Sequence, residues 1–226
     1  MIDDKSKVVF KRKDRTMHVA ESFYTYNVVE PLLPYIGRTF ITPNMVTSAN
    51  IIFSFIMFYL GYKGYYIWFA LGIQFYLFLD ILDGNLARYK NMRSKIGATL
   101  DTICDNLFYN GMLIAIGINR INYIYIVAAI FLLNSYGWIA TYYIVPRLRK
   151  LKNIKRAGIK KYFMDRGYII GMDLGTLDII MTLFLLLGHA IKPMFITIIV
   201  GYILDIIFRI VELKVNEKIP NNKKAE

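Results

Sequence analysis

The sequence predicts an all-α integral membrane protein, a bundle of six transmembrane helices with an amphipathic surface helix on its N-terminal side. The first observation is composition: the 226 residues are 56% hydrophobic and 19% charged, against roughly 45–50% and 25% in soluble globular proteins. The mean hydropathy is +0.41, which leaves too little polar surface to cover a water-exposed globule. The other two observations are a series of long apolar segments and a one-sided distribution of basic residues.

Six mostly apolar segments each approach the length of about 20 residues that a bilayer-crossing helix needs. They are residues 44–62, 65–87, 96–118, 121–145, 172–189 and 191–212. Tight connections at 61–64, 119–120 and 188–192 join the first segment to the second, the third to the fourth and the fifth to the sixth. The sequence therefore predicts three helical hairpins.

The formal net charge of +12 comes from Lys and Arg residues that sort by side of the membrane. The three tight connections carry one each, Lys63, Arg120 and Lys192, and the other 25 lie in the N-terminal arm, the two longer loops and the C-terminal end. Positively charged loops stay in the cytoplasm, so both termini and both longer loops are expected there. Membrane topology accounts for the charge, with a contribution from anionic lipid headgroups, and nucleic acid is not an expected partner.

The predicted organisation has three parts. Residues 1–43 form a basic arm and the amphipathic helix, residues 44–213 the transmembrane domain with a basic loop at 146–171, and residues 214–226 a charged tail. The amphipathic helix is predicted from apolar residues spaced by three and four, Val19, Phe23, Tyr26 and Val29. The same spacing is equally typical of a connector helix packed on the bundle.

Four aspartates lie inside predicted spans, where ionisable groups are costly and indicate a functional site. Asp80 and Asp83 share one face of the second span, and Asp101 and Asp105 share one face of the third, because residues three and four apart are neighbours on a helix. At 1.5 Å per residue, Asp80 lies about 12 Å from the cytoplasmic end of its helix, and Asp101 and Asp105 lie roughly 12–18 Å from the cytoplasmic end of theirs. The sequence therefore predicts four carboxylates at one depth.

Four ionised carboxylates share a low-dielectric pocket only if cations neutralise them or some are protonated. An all-oxygen ligand set favours a hard ion such as Mg²⁺ or Mn²⁺, and two such ions can clamp the oxygens of a phosphoryl transfer. Two other interpretations exist. The aspartates can pair with Arg88 and Arg93, or they can line the ion pathway of a transporter, which would distribute its acids along the depth of the bundle.

The spacing of these acids also carries a resemblance. Asp80, Asp83, Gly84, Ala87 and Arg88, followed by Gly97, Asp101 and Asp105, occupy eight fixed positions within 26 residues. This pattern resembles the signature of the CDP-alcohol phosphotransferase (CDP-alcohol phosphatidyltransferase) family, with no departure from it. The resemblance implies a metal-dependent enzyme of membrane-lipid synthesis that transfers a substituted phosphate from a CDP-linked alcohol to a second alcohol and releases CMP.

The resemblance also implies residue roles. Asp80, Asp83, Asp101 and Asp105 would bind two divalent cations, Mg²⁺ or Mn²⁺, and Asp105 would also be the general base. The residues implied to bind CDP are Asn44, Thr47, Gly84, Ala87, Arg88 and Ser94. Family members are usually homodimers, so a homodimer is expected.

The sequence does not identify the donor alcohol or the acceptor alcohol. A CDP-lipid with a soluble acceptor and a CDP-linked polar alcohol with a lipid acceptor both fit the sequence. Candidate acceptor-binding residues are Arg147, Arg149 and Arg156 of the basic loop and Asp178 of the fifth span. Most of the loop's basic residues are equally well explained by topology and lipid headgroups.

Overall fold

The computed structural model describes residues 16–156, 158–220 and 222. Most of the predicted basic arm, residues 1–15, and the end of the predicted C-terminal tail, residues 223–226, lie outside the described residues. The helices are α1 (Val19–Tyr24), α2 (Glu30–Ile36), α3 (Pro43–Lys63), α4 (Tyr66–Tyr89), α5 (Lys95–Gly117), α6 (Tyr123–Trp138), α7 (Val145–Arg149), α8 (Gly158–Met164), α9 (Leu174–Leu186) and α10 (Ile191–Glu217). Wider π-helical turns, Thr25–Val29 and Ile139–Ile144, join α1 to α2 and α6 to α7.

The predicted helical class is confirmed with one small exception. Met17–His18 (β1) and Tyr168–Ile169 (β2) pair in parallel as a two-residue ladder, which ties the start of the described chain to the segment before α9. Several helices of the main bundle begin at side-chain caps that satisfy otherwise unpaired backbone N–H groups. Thr42 caps α3, Ser94 caps α5 and Asp173 caps α9.

Four of the helical segments are long and apolar enough to cross a membrane: Pro43–Lys63, Tyr66–Tyr89, Tyr123–Arg149 and Ile191–Glu217. They correspond to the first, second, fourth and sixth predicted spans. Helix α5 also has 23 residues, but it carries two acidic residues, Asp101 and Asp105, and it is not among these four segments. Helix α9 has only 13 residues, about 20 Å at 1.5 Å per residue, so the fifth apolar segment forms a shorter helix than its sequence predicts.

The three predicted tight connections are present. Helices α3 and α4 are joined through Gly64, whose φ of +79° lies in the left-handed region that glycine adopts without a steric cost. Asn119, with φ of +62°, lies between α5 and α6, and Gly188 lies between α9 and α10. Helix α3 packs against α4 and α5, α9 packs against α4 and α10, and α10 packs against α6.

The segment predicted as an amphipathic helix is helical but packs on the bundle. The side chains of Val29 and Leu33 are fully buried, and the segment contacts α4 and α9. Val19 and Phe23, which the spacing places on the same stripe as Val29, point outward and are 48% and 58% exposed. At 3.6 residues per turn, Val29 lies about a third of a turn from Phe23 even in a regular helix, and the π-helical turn at Thr25–Val29 rotates it further away.

The basic loop is held to the end of α10 by paired amide contacts. Asn216 accepts from the backbone N–H of Lys155 at 2.6 Å and donates to its carbonyl at 3.0 Å. Asn222 makes the same pair with Asn153, at 2.9 Å and 2.8 Å. Glu212 adds ion pairs to two basic residues of the loop. Two neutral side chains thus bind alternate residues of one extended segment.

Asp205 and Arg209, four residues apart on α10, form an ion pair with 3.0 Å between Arg209 Nε and Asp205 Oδ2. The same oxygen accepts from the hydroxyl of Tyr136 at 2.7 Å and from the backbone N–H of Met172 at 3.1 Å. One carboxylate therefore connects α6, α10 and the segment that leads into α9.

Replacing Asp205 with Ala should destabilise the protein by about 3 kcal/mol, because it leaves Arg209 as an uncompensated, largely buried charge. Thermal unfolding in detergent measures the loss. The double variant Asp205→Ala/Arg209→Met, which removes both charges, should recover most of it. Equal melting temperatures for the wild type and Asp205→Ala would contradict this role.

Candidate active site

Three of the four predicted carboxylates converge between α4 and α5. One side-chain oxygen from each of Asp80, Asp101 and Asp105 lies within 4.8 Å of the other two. All three residues are partly buried. Carboxylates this close repel one another strongly away from bulk water, so the arrangement requires a bound cation or retained protons. An oxygen cluster of this size suits a hard divalent ion.

Asp83 lies beside this cluster with a separate partner. It is 6% exposed, and its Oδ2 accepts a hydrogen bond of 2.5 Å from the hydroxyl of Thr47 on α3. The prediction of four carboxylates at one place is thus met by a cluster of three and a fourth that the first long helix orients. Thr47 itself is 4% exposed, so this contact is a fixed part of the packing between α3 and α4.

Aromatic side chains of α4 and α5 pack next to the carboxylate cluster. The hydroxyl of Tyr76 lies 3.2 Å from Asp105 Oδ1 and 3.2 Å from the sulfur of Cys104. The Tyr76 ring is fully buried and stacks on Phe108, with ring centroids 3.5 Å apart. Nothing in the spacing of the acids identifies Tyr76, because in sequence it is one more aromatic residue in an apolar span.

A groove of about 250 Å³ leads from the carboxylates toward the ends of three helices. Its walls come from the start of α3, the last turns of α4 and the start of α5. All six residues that the resemblance assigned to CDP line it: Asn44, Thr47, Gly84, Ala87, Arg88 and Ser94. Asp83 and Asp101 form its inner end, and Arg93 lines it as well. The structure thus brings together residues that lie up to 50 positions apart.

Two glycines keep the groove open. A Cβ on Gly97 would lie 3.0 Å from Asn44 Oδ1 and 3.1 Å from Ser94 Oγ, a crowded position that would push both polar side chains. A Cβ on Gly84 would meet only the Arg88 guanidinium, at 3.8 Å. Gly84 therefore leaves open space in front of a guanidinium, whose fork of donors suits phosphate oxygens.

A second, larger cavity of about 690 Å³ borders the same cluster. It lies among α5, α6, α10 and the start of α9, and Asp105 is part of its lining. Asp101 lines the groove and Asp105, one helical turn further along α5, lines the cavity. The carboxylate cluster therefore stands at the junction of two separate spaces.

The predicted acceptor-binding residues do not gather at this cavity. Asp178 is fully buried, and its Oδ2 accepts from the Tyr109 hydroxyl at 2.9 Å, so it belongs to the packed interior. Arg156 lies 3.6 Å from Glu212, and Arg147 lies 4.0 Å from Glu217 and 4.0 Å from the centre of the Tyr143 ring. None of these residues, nor Arg149, lines the groove or the second cavity.

A lysine outside the predicted set links the end of α4 to the segment before α3, two of the elements that form the groove. Lys90 Nζ donates to the backbone carbonyls of Thr39 at 2.7 Å and Ile41 at 2.8 Å. These carbonyls lie just before α3 begins, and Lys90 directly follows the end of α4, two residues after Arg88. Its neighbour Tyr89 packs so closely on Gly37 that a side chain at that position would collide with the ring.

The fold and the site together define a class: a helical bundle that crosses the membrane several times and carries an aspartate cluster between an arginine-lined groove and a second cavity. The family model for CDP-alcohol phosphatidyltransferase matches residues 40–207. The chain belongs to this family, as its aspartate spacing predicts, and it is a multi-pass membrane protein.

Two phosphatidylinositol phosphate synthases are similar in sequence. The protein from Streptomyces avermitilis is 31% identical over 99 residues, which are 41% of this chain and 39% of that protein. The protein from Corynebacterium glutamicum is 32% identical over 82 residues, which are 35% of this chain and 37% of that protein. The alignments thus span less than half the length of these relatives.

A solved structure has a similar fold. It is the phosphatidylinositol phosphate synthase of Mycobacterium tuberculosis, crystallised in complex with manganese and citrate. The TM-score is 0.56 at 14% sequence identity, over 86% of this chain and 92% of that chain. At this identity the similarity concerns the fold alone.

Replacing Lys90 with Met should raise the KM for the CDP-linked donor that the family implies severalfold, because losing both hydrogen bonds frees the end of α4, which carries Arg88, from the segment before α3. The kcat at saturating donor should change much less, since the carboxylate cluster is untouched. Steady-state CMP release measures both constants. Lys90→Arg, which can still donate to two carbonyls, should restore the KM.

Lys95→Met is the matched control, because it removes an equal charge from an exposed position near the same groove. If both lysine variants raise the KM equally, long-range attraction of the anionic donor explains the effect, and the contacts of Lys90 with the two carbonyls do not.

Proposed function

We propose that the protein transfers a substituted phosphate group from a CDP-linked alcohol to the hydroxyl of a second alcohol, forming a phosphodiester and releasing CMP in membrane-lipid synthesis. One observation carries the proposal: the carboxylate cluster lies where the arginine-lined groove meets the second cavity. Asp101 belongs to the lining of the first space and Asp105 to that of the second. Family membership supports the same reaction class.

The residues present fit two divalent cations, Mg²⁺ or Mn²⁺. Asp80, Asp101 and Asp105 offer converging oxygens, and Asp83 lies at the inner end of the groove with one oxygen held by Thr47. When bound, such ions neutralise charge on a diphosphate and on the departing phosphate. The manganese in the similar mycobacterial structure is consistent with this assignment.

The groove is the proposed donor site. Arg88 is placed to donate to the diphosphate, and Gly84 and Ala87 leave room for the nucleotide to approach the backbone of α4. Asn44, Thr47 and Ser94 provide amide and hydroxyl groups along the other walls. A diphosphate bound along this groove would lie with its distal phosphorus toward Asp101.

Asp105 is the proposed general base. The acceptor's hydroxyl oxygen attacks the distal phosphorus of the diphosphate, and a new P–O bond forms as the P–O bond to CMP breaks. CMP leaves with the bonding electron pair, and Asp105 takes the hydroxyl proton and later releases it to water. Tyr76 holds one oxygen of Asp105, which directs the carboxylate that would accept the proton.

Six crossings are proposed, with α5 and α9 as the remaining two. The end of α4 and the starts of α3 and α5 meet at the groove, so α5 runs back across the membrane beside α3. An even number of crossings puts both ends of the chain on one side, and the basic loops support the cytoplasm as that side. A homodimer is proposed from the family resemblance, and sedimentation in detergent would test it.

The side chains that face outward from α1 support a surface role for the N-terminal segment. Val19 and Phe23 are 48% and 58% exposed, and apolar side chains beside a membrane domain can insert at the headgroup boundary. Arg147, Arg149 and Arg156, which the sequence offered as acceptor-binding candidates, are proposed instead to contact anionic lipid headgroups at the cytoplasmic face.

Replacing Asp105 with Asn should lower CMP release by about 10²–10⁴-fold, because an amide cannot accept the hydroxyl proton. The assay uses purified protein with a CDP-linked donor, an acceptor and Mg²⁺ or Mn²⁺. Asp165→Asn makes the same substitution at an exposed acid of the basic loop and should leave the rate unchanged. A fully active Asp105→Asn protein would exclude the proposed base.

Replacing Asp80 with Asn should weaken Mn²⁺ binding by roughly tenfold or more, the scale seen when even outer partners of a metal site are removed. Electron paramagnetic resonance counts free Mn²⁺ directly and does not depend on turnover. A chelator should stop CMP release, and added Mg²⁺ or Mn²⁺ should restore it. Equal Mn²⁺ affinity in the wild type and the variant would contradict the metal assignment.

A further inference from the structure

The lining of the second cavity carries information about the acceptor. Sixteen residues of the described chain line it, and none is Lys or Arg. Its polar groups are mostly neutral amides and hydroxyls, from Thr102, Asn106, Asn110, Asn134 and Thr141. This composition contrasts with the groove, which two arginines line.

The two acids of the lining offer a bound anion no favourable contact. Asp105 belongs to the carboxylate cluster, and Asp173 already has partners of its own. One oxygen of Asp173 lies 3.1 Å from His18 Nδ1 and accepts from the Thr176 hydroxyl at 2.5 Å. A phosphomonoester in this cavity would meet carboxylates and no cationic side chain of the lining, and burying an unpaired anion is costly.

Nearby cations are engaged elsewhere. Arg209 lies 5.3 Å from the ring of Tyr136, a lining residue, but its guanidinium is paired with Asp205. In the basic loop, Lys160 donates to Glu212 at 2.6 Å. To bind a phosphate in the cavity, such a cation would have to leave an acid that it now neutralises.

One buried hydroxyl of the lining lacks a partner. Tyr202 is fully buried, and its hydroxyl has no hydrogen-bond partner in the part of the chain that the structure describes. Buried polar groups are almost always hydrogen-bonded. A hydroxyl of a bound alcohol can supply the missing bond to Tyr202. The amide of Asn134, another lining residue, donates to Asn110 Oδ1 and to the Ile130 carbonyl, both at 2.8 Å.

We infer that the acceptor is a neutral polyhydroxylated alcohol without a phosphate group, bound in this cavity with one hydroxyl directed to Asp105. This inference rests on the proposed function and narrows it: the acceptor is the polar partner, so the lipid is carried by the CDP-linked donor. Amides and hydroxyls recognise such an alcohol through hydrogen bonds, and the cavity excludes its phosphorylated form by desolvation.

The test compares acceptors that differ only by a phosphate. Purified protein in lipid nanodiscs receives CDP-diacylglycerol with glycerol or glycerol 3-phosphate, and separately with myo-inositol or myo-inositol 1-phosphate. CMP release and the product mass are measured. In the pair that reacts, the neutral member should be used at least tenfold faster at equal concentration. Equal or faster use of the phosphorylated member, or reaction only with a CDP-linked polar alcohol and a lipid acceptor, would overturn the inference.

These outcomes are distinct from failure of the proposed function, which would appear as no CMP release from any CDP-linked donor in the presence of Mg²⁺ or Mn²⁺. That result would contradict both the proposed function and the inference about the acceptor. CMP release with the wrong acceptor removes only the inference about the cavity.

Two variants locate the selectivity in the cavity. Asn134→Lys adds a cation to the lining and should raise kcat/KM for the phosphorylated acceptor at least tenfold, whereas Asn134→Leu, of similar size and without charge, should not. Tyr202→Phe should raise the KM for the neutral acceptor severalfold and leave the donor KM unchanged. A purely structural role for Tyr202 would instead change both constants or the melting temperature alone.

Discussion

The mutual repulsion of carboxylates at membrane depth is the constraint on which the site depends. Asp80, Asp101 and Asp105 bring three oxygens within 4.8 Å of one another, in a bundle whose surroundings are largely apolar. Such a group is stable only with positive charge or protons added to it. The surrounding structure therefore orients acids that would otherwise separate: Tyr76, stacked on Phe108, donates to Asp105, and Thr47 donates to the neighbouring Asp83.

The sequence was sufficient to predict the parts of the fold that follow from local chemistry. The long apolar helices, the turns at Gly64, Asn119 and Gly188, and the pairing of Asp205 with Arg209 all result from residues close together in sequence. The convergence of Asp80 with Asp101 and Asp105 could also be predicted from the sequence, because a short loop between two helices fixes their relative depth. The residues of the groove came from the family resemblance, and the structure places them on one surface.

What the sequence could not predict depends on contacts between distant segments. The π-helical turn at Thr25–Val29 rotates the N-terminal helix, so the apolar spacing that indicated one stripe serves two faces. Asp178 is a polar residue in an apolar span whether it faces a cavity or a tyrosine, and only tertiary packing places it against Tyr109. The link from Lys90 to the carbonyls before α3 joins residues about 50 positions apart, and no periodic pattern in the sequence predicts it.

The amide pairs made by Asn216 and Asn222 have a consequence for a protein at a charged membrane surface. The loop they hold is strongly basic, and an anionic leaflet attracts such a loop toward its headgroups. Amide-to-backbone bonds carry no net charge, so they do not weaken as ionic strength or surface potential changes, unlike the neighbouring ion pairs of Glu212. The face of the protein that carries the basic loop can thus keep one shape in membranes of differing lipid composition.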